Sequence, residues 1–199
     1  MRLRLFTLTA TITAALFAYG CTNDSVTTPS SAAVVAPSAP SQALLGTLLA
    51  QSTTVTPLLR TTPLPADLTS SATIGPLGGV LSVPGAGLTV VVPPLAVQTP
   101  TKMSVTALAG SAVAYEFAPH GIKFLVPLVA TQSLKGTQAQ AGGSINPLSL
   151  FAGYFPDPNR VTSVSELLNL NVNVLGQTSV LNIWHFSGYI IATGRSGDE

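Results

Sequence analysis

Any chemistry this chain performs must come from few side chains: two histidines, one cysteine and seven carboxylates in 199 residues, of which 46% are hydrophobic and only 8% charged. General acids, bases and metal ligands are drawn from those types. The spacings that activate them are missing. There is no Gly-x-Ser-x-Gly elbow, no His-Glu-x-x-His, no cysteine pair and no glycine loop shaped for phosphates. Glu116 and His120 stand four apart, but Pro119 between them breaks any helix that would align them, so His120 is expected as a buried, hydrogen-bonded side chain beside a turn. Asp157-Pro158-Asn159 offers oxygens to a hard cation, yet one acid is too few for such a site and the tripeptide reads as a turn. The aromatics from Tyr115 to Trp184 could line a ligand groove, and are expected instead to fill a small core. No metal and no cofactor is implied. The formal charge of +1 supplies no basic field for phosphates, so nucleic acid is not an expected partner.

The single cysteine has a context of its own. Arg2 and Arg4 precede an apolar run from Leu5 to Ala18, too short to span a bilayer but long enough for the core of a secretory leader. The run ends in Ala18-Tyr19-Gly20-Cys21, with small residues one and three positions before the cysteine. This tetrapeptide resembles the lipobox of bacterial lipoproteins, with Tyr19 bulkier than usual and no leucine before Ala18. The resemblance implies cleavage after residue 20 and diacylation of the Cys21 thiol. A free thiol in an oxidising compartment would be a liability, which acylation removes. Without residues 1–20 the chain keeps six basic and seven acidic residues, so its hold on a membrane would rest on lipid rather than charge.

The remaining elements are those that would carry and position a site. Residues 21–71 are rich in Ser, Thr, Pro and Ala, as in Thr27-Thr28-Pro29-Ser30-Ser31, and read as a disordered tether. Within it Leu44, Leu45, Leu48 and Leu49 recur at helical spacing, but Gly46 and the short length make an isolated helix marginal. From residue 72 to 199 the chain becomes short apolar runs divided by Gly and Pro: Val80–Val83, Gly87–Val92, Lys102–Leu108, Val113–Phe117, Ile122–Ala130, Leu148–Tyr154, Leu170–Leu175, Ser179–Phe186 and Tyr189–Thr193. That punctuation predicts an all-β domain, a single antiparallel β-sandwich. Met103, Val105 and Ala107 should face inward, as should Leu170, Val172 and Val174, with Asn169, Asn171 and Asn173 opposite them. Leu88–Val92 and Phe124–Val126 are apolar on both faces and are expected to be covered on both. Gly176-Gln177 marks a hairpin turn, Pro93-Pro94 a strand end, Gly121 a turn with positive φ and Gly188 a bulge. A transmembrane barrel would need longer strands and girdles of aromatics, which are 6% of the chain.

Two stretches, Gly78-Gly79-Val80-Leu81-Ser82-Val83 followed by Gly87–Ala96, and Phe117-Ala118-Pro119-His120-Gly121-Ile122-Lys123-Phe124-Leu125-Val126-Pro127-Leu128, resemble the recurring elements of ZU5 domains. The resemblance covers about residues 72–193, with gaps at Gly136–Ser144 and Pro156–Asn169. It implies a β-sandwich serving as a protein-interaction or structural module. Near the end, His185-Phe186-Ser187 matches the self-cleavage motif of some ZU5 domains. By that resemblance Ser187 would be the nucleophile, His185 its base and Phe186–Ser187 the bond cut. The alternative role of the tripeptide is to close the core with Trp184 and Tyr189, and the cut is expected to free only Ser187–Glu199.

These readings combine into a lipoprotein of the bacterial cell envelope, facing outside the cytoplasm. A leader (1–20) and tether (21–71) would hold a ZU5-like sandwich (72–199) to the membrane through the N-terminal lipid, and the sandwich would bind a protein partner that the residues do not specify. The rival readings are a self-cleaving module and a carrier of a small apolar ligand, the latter needing a pocket of several hundred cubic ångströms.

Overall fold

The computed structural model describes residues 52–195; the leader, Cys21 and the leucine-rich island all lie outside them. The described chain is all-β. Its strands are β1 (Thr53–Pro57), β2 (Leu59–Leu64), β3 (Leu68–Ile74), β4 (Gly79–Val83), β5 (Leu88–Val92), β6 (Thr101–Ala107), β7 (Gly110–Ala112), β8 (Ala114–Ala118), β9 (Lys123–Ser133), β10 (Phe151–Phe155), β11 (Ser163–Val164), β12 (Glu166–Asn169), β13 (Asn171–Asn173), β14 (Thr178–His185) and β15 (Gly188–Arg195). All pairings between these strands are antiparallel.

Two sheets pack face to face. The first runs β3-β6-β8-β15, and β15 is the strand on which it branches. Along one edge β15 pairs with β8 through residues 188–190 and then with β1 through Ala192–Arg195, while its other edge pairs with β10, which carries β12. The second sheet is β13-β14-β9-β5-β4, and β2 with β7 forms a short separate ribbon. Between the sheets lies the main core, with Met103, Val105, Phe117 and Tyr189 from the first meeting Leu81, Val90, Leu128 and Ile183 from the second. A smaller cluster of Val55, Ala114, Phe155, Val164, Ile190 and Ala192 packs as a second apolar group. Alternate residues of β15 therefore enter different clusters, Tyr189 and Ile191 one and Ile190 and Ala192 the other.

The nine apolar runs each contain a strand, and the alternation of β6 is as expected, with Met103, Val105 and Ala107 fully buried. Besides Val174, expected to face inward but exposed beyond the end of β13, three expectations need correction. The folded part starts at Thr53 rather than residue 72, because β1, β2 and most of β3 precede it and Val55 and Leu58 are core residues. The Thr and Ser there are β-formers half-buried on a pleated surface, and Pro57 and Pro63 sit where the ladders shift register. Second, β5 and β9 are not covered on both faces: Thr89 and Val91 are exposed, as are Leu125 and Val126. The strand buried on both faces is β15. Third, Gly188 is the regular first residue of β15, and it is glycine because a Cβ would strike the Phe155 ring. The turn expectations agree with the structure: Gly121 has φ +81°, β5 ends at Val92 before Pro93-Pro94, and Gly176 and Gln177 close the β13–β14 hairpin.

Candidate functional site

The His185-Phe186-Ser187 tripeptide is where the chain leaves the second sheet at the end of β14 and enters the first at β15. Such a crossing interrupts both ladders, so its backbone groups must find other partners. Phe186 N–H donates to the Ile122 carbonyl (2.9 Å), the Phe186 carbonyl accepts from Gly121 N–H (3.2 Å), and the Ser187 carbonyl accepts from Phe117 N–H (3.0 Å). Gly121 serves this because its positive φ turns the 119–121 segment back toward the crossing. The Phe186 ring is 1% exposed and packs edge-on to Phe124, with centroids 4.9 Å apart, and at 5.3 Å from Phe117. Trp184, expected to close the core beside it, instead points outward and is 56% exposed.

His185 and Ser187 are brought near each other by sequence but not joined. The His185 ring sits edge-on to Tyr154 at 5.1 Å, with Tyr189 at 6.0 Å. The Tyr189 hydroxyl donates to the His185 carbonyl (2.6 Å) and lies 3.5 Å from His185 Nδ1. Burial above all, then the Glu166 carboxylate and Tyr154, pushes the Tyr189 hydroxyl well above the usual tyrosine range, so it remains a donor at neutral pH. Ser187 is buried and no hydrogen bond links its Oγ to His185. One part of an acyl-shift geometry is present, since a backbone N–H already points at the Phe186 carbonyl oxygen that would become an oxyanion. The ring of the candidate base packs on Tyr154 and Tyr189, and no hydrogen bond joins it to the candidate nucleophile.

The other residues singled out from sequence fall elsewhere. His120 is half-exposed rather than buried, and its Nε2 meets Glu116 Oε1 at 3.1 Å. The turn carrying Pro119 brings the two together without a helix. Asp157 caps a single 3-10 turn, its Oδ1 accepting from the backbone and side-chain N–H groups of Asn159 at 2.9 and 3.1 Å.

Sequence reading missed a buried polar group at the opposite end of the sandwich. The Tyr115 hydroxyl reaches the Ala86 carbonyl (3.0 Å) and Gln132 Oε1, and Gln132 Nε2 donates to the Ala86 and Ser133 carbonyls at 3.1 and 2.7 Å. Arg60, 8% exposed, lies over the Tyr115 ring at 5.7 Å and donates through Nη1 to the Ala112 carbonyl. Burial pushes the Tyr115 hydroxyl up to about 12, against the opposing pull of the Arg60 charge and the Gln132 bond. The available signal was Arg60 itself, a charge inside an otherwise uncharged β-branched run. The apolar space between the sheets, bounded by Leu88, Phe117, Leu181 and Ile191, measures about 20 Å³, room for one water and not for a ligand. No known protein family matches this chain, and no curated protein matches it.

Proposed function

We propose that this chain is a lipid-anchored protein of the bacterial envelope whose ZU5-like β-sandwich works through its surface, as an interaction or structural module. The observation that carries the reading is the filled interior. With about 20 Å³ between the sheets, the sandwich gives the apolar-carrier alternative no support. The leader that ends in Ala18-Tyr19-Gly20-Cys21 supports attachment through acylated Cys21. The ZU5 likeness rests on the Gly78–Ala96 and Phe117–Leu128 stretches of the sequence, which run through β4, β5 and the β8–β9 connection.

The Gly121 N–H at the Phe186 carbonyl favours a second reading, self-cleavage at Phe186–Ser187 through attack of Ser187 Oγ. The lack of a hydrogen bond between His185 and Ser187 weighs against it. Intact mass of the protein purified from its own membranes tests both. The expected species begins at an acylated Cys21 and is uncut between Phe186 and Ser187. A mass without acyl chains overturns the anchor, and a fragment ending at Phe186 establishes the cut.

A further inference from the structure

The exposed apolar side chains are not scattered. Of ten large hydrophobic residues open to solvent among the described residues, seven cluster where β4 begins, β5 ends, β9 begins and β14 ends. Val80 pairs directly with Val91, and Leu95 N–H donates to the Pro76 carbonyl beside Leu77, which is 93% exposed. The segment Ala96–Gln98 shares one hollow with Ile122 and Leu125, and the register shift between Ile183 and His185 sets Trp184 opposite the 124–127 stretch of β9. On the outer face of the second sheet a hydroxyl row, Ser82-Thr89-Thr131, gives way toward this pole to an apolar row, Val80-Val91-Val129.

Three observations indicate what covers it. The apolar groups protrude as tips rather than lining a groove, with Leu95 66%, Leu125 66% and Trp184 56% exposed. Leu95 holds φ +66°, a strained conformation for a branched side chain, and the fold gains no buried contact in return. Lys123 and Lys102 flank the tips and the strands of the second sheet contain no carboxylate, while Glu116 contacts His120 and Glu166 lies toward Tyr189 on the first sheet. Protruding Leu and Trp flanked by lysines match the interface of a bilayer with anionic headgroups. The described chain starts at the far pole, since β1 pairs with the end of β15 at Val55–Arg195; the residues between Cys21 and Ser52 are enough chain to pass along the sandwich to the same membrane.

We propose that this pole is a membrane-docking surface whose Leu77, Leu95, Leu125 and Trp184 insert among the headgroups and upper acyl chains of an anionic bilayer. The proposal draws its context from the lipid-anchor reading but is tested without the anchor, so either can fail alone. Trp184 is the chain's one tryptophan and reports directly. The chain lacking only residues 1–21 is mixed with vesicles of equal parts phosphatidylethanolamine and phosphatidylglycerol, and separately with phosphatidylcholine vesicles. Expected are co-sedimentation, a blue shift of Trp184 emission and its quenching by brominated acyl chains, with several-fold weaker binding to the neutral vesicles. Leu77→Ser with Leu125→Ser, both at exposed positions, should weaken partitioning by about tenfold or more. Leu95→Asn should weaken it while raising thermal stability, which separates docking from folding. Leu175→Ser, at a 97% exposed leucine of the opposite pole, should leave it unchanged. Absence of binding to either vesicle overturns the proposal. So does binding that survives the tip substitutions, or binding lost through Leu175→Ser.

Discussion

Tyr115 shows how one buried hydroxyl ties three elements together, since it reaches the turn between β4 and β5 through Ala86 and the end of β9 through Gln132. Its alkaline titration gives a stability prediction with a definite sign. The folded hydroxyl holds its proton to about pH 12, whereas in the unfolded chain it releases it near 10. Between those values the native state binds more protons, so stability is complete below pH 10 and falls as pH rises toward 12. The loss over that window is about 3 kcal/mol. Tyr115→Phe should cost about 1–3 kcal/mol at neutral pH, because the acceptors at Ala86 and Gln132 stay buried, and should flatten the decline above pH 10. Urea unfolding at neutral pH and at pH 11 checks both parts; an equal decline in Tyr115→Phe would assign the alkaline loss to other groups. Little of this was legible beforehand. Tyr115 was readable as core because it sits in an aromatic run, but its partners are 17 and 29 residues away and carry no local signature. His120 misled for a related reason: proximity to a turn says nothing about which side of the sheet the turn leaves.

At the scale of elements, hydrophobic punctuation located nine strands because those strands are longer or more apolar than their connections. It passed over β1, β2 and β3, where Thr and Ser outnumber aliphatic residues and the composition is that of a linker. Local composition cannot distinguish a threonine that pairs from one that is solvated; what decides is the ladder, and β3 matches β6 over all seven residues from Leu68 to Ile74. The same limit applied to Leu88–Val92, where Val91 on the outer face looked like core. A physical consequence separates the two boundaries. A fragment beginning at residue 72 lacks β1, β2 and most of β3, which removes Val55 from one apolar cluster and Leu58 from the other and strips the outer edge of β6. A fragment beginning at Ser52 keeps them all. Circular dichroism and limited proteolysis of the two should show cooperative strand-type unfolding for 52–199 and a poorly folded, rapidly degraded chain for 72–199. Equal stability of both would mean that β1–β3 are dispensable decoration.

For the whole molecule, the proposed Cys21 anchor and the proposed docking pole would make different demands on the same membrane. A few protruding side chains give weak, reversible partitioning, while acyl chains contribute about 0.8 kcal/mol per buried methylene. A covalent lipid anchor on the same chain would raise the effective concentration of the pole against its own bilayer. Docking too weak to hold the free protein would thus suffice for the anchored one. In cells, Cys21→Ala should therefore abolish acyl labelling and move the protein from the membrane to the soluble fraction, with the β-sandwich still folded. Reconstituted acylated protein should show Trp184 quenched by brominated lipid even at high dilution, whereas Cys21→Ala should need concentrated vesicles to reach the same quenching. Retention of Cys21→Ala in the membrane fraction, together with an unacylated wild type, would shift the whole attachment onto the pole. Unquenched Trp184 in the acylated protein would leave the sandwich standing off the bilayer on its tether.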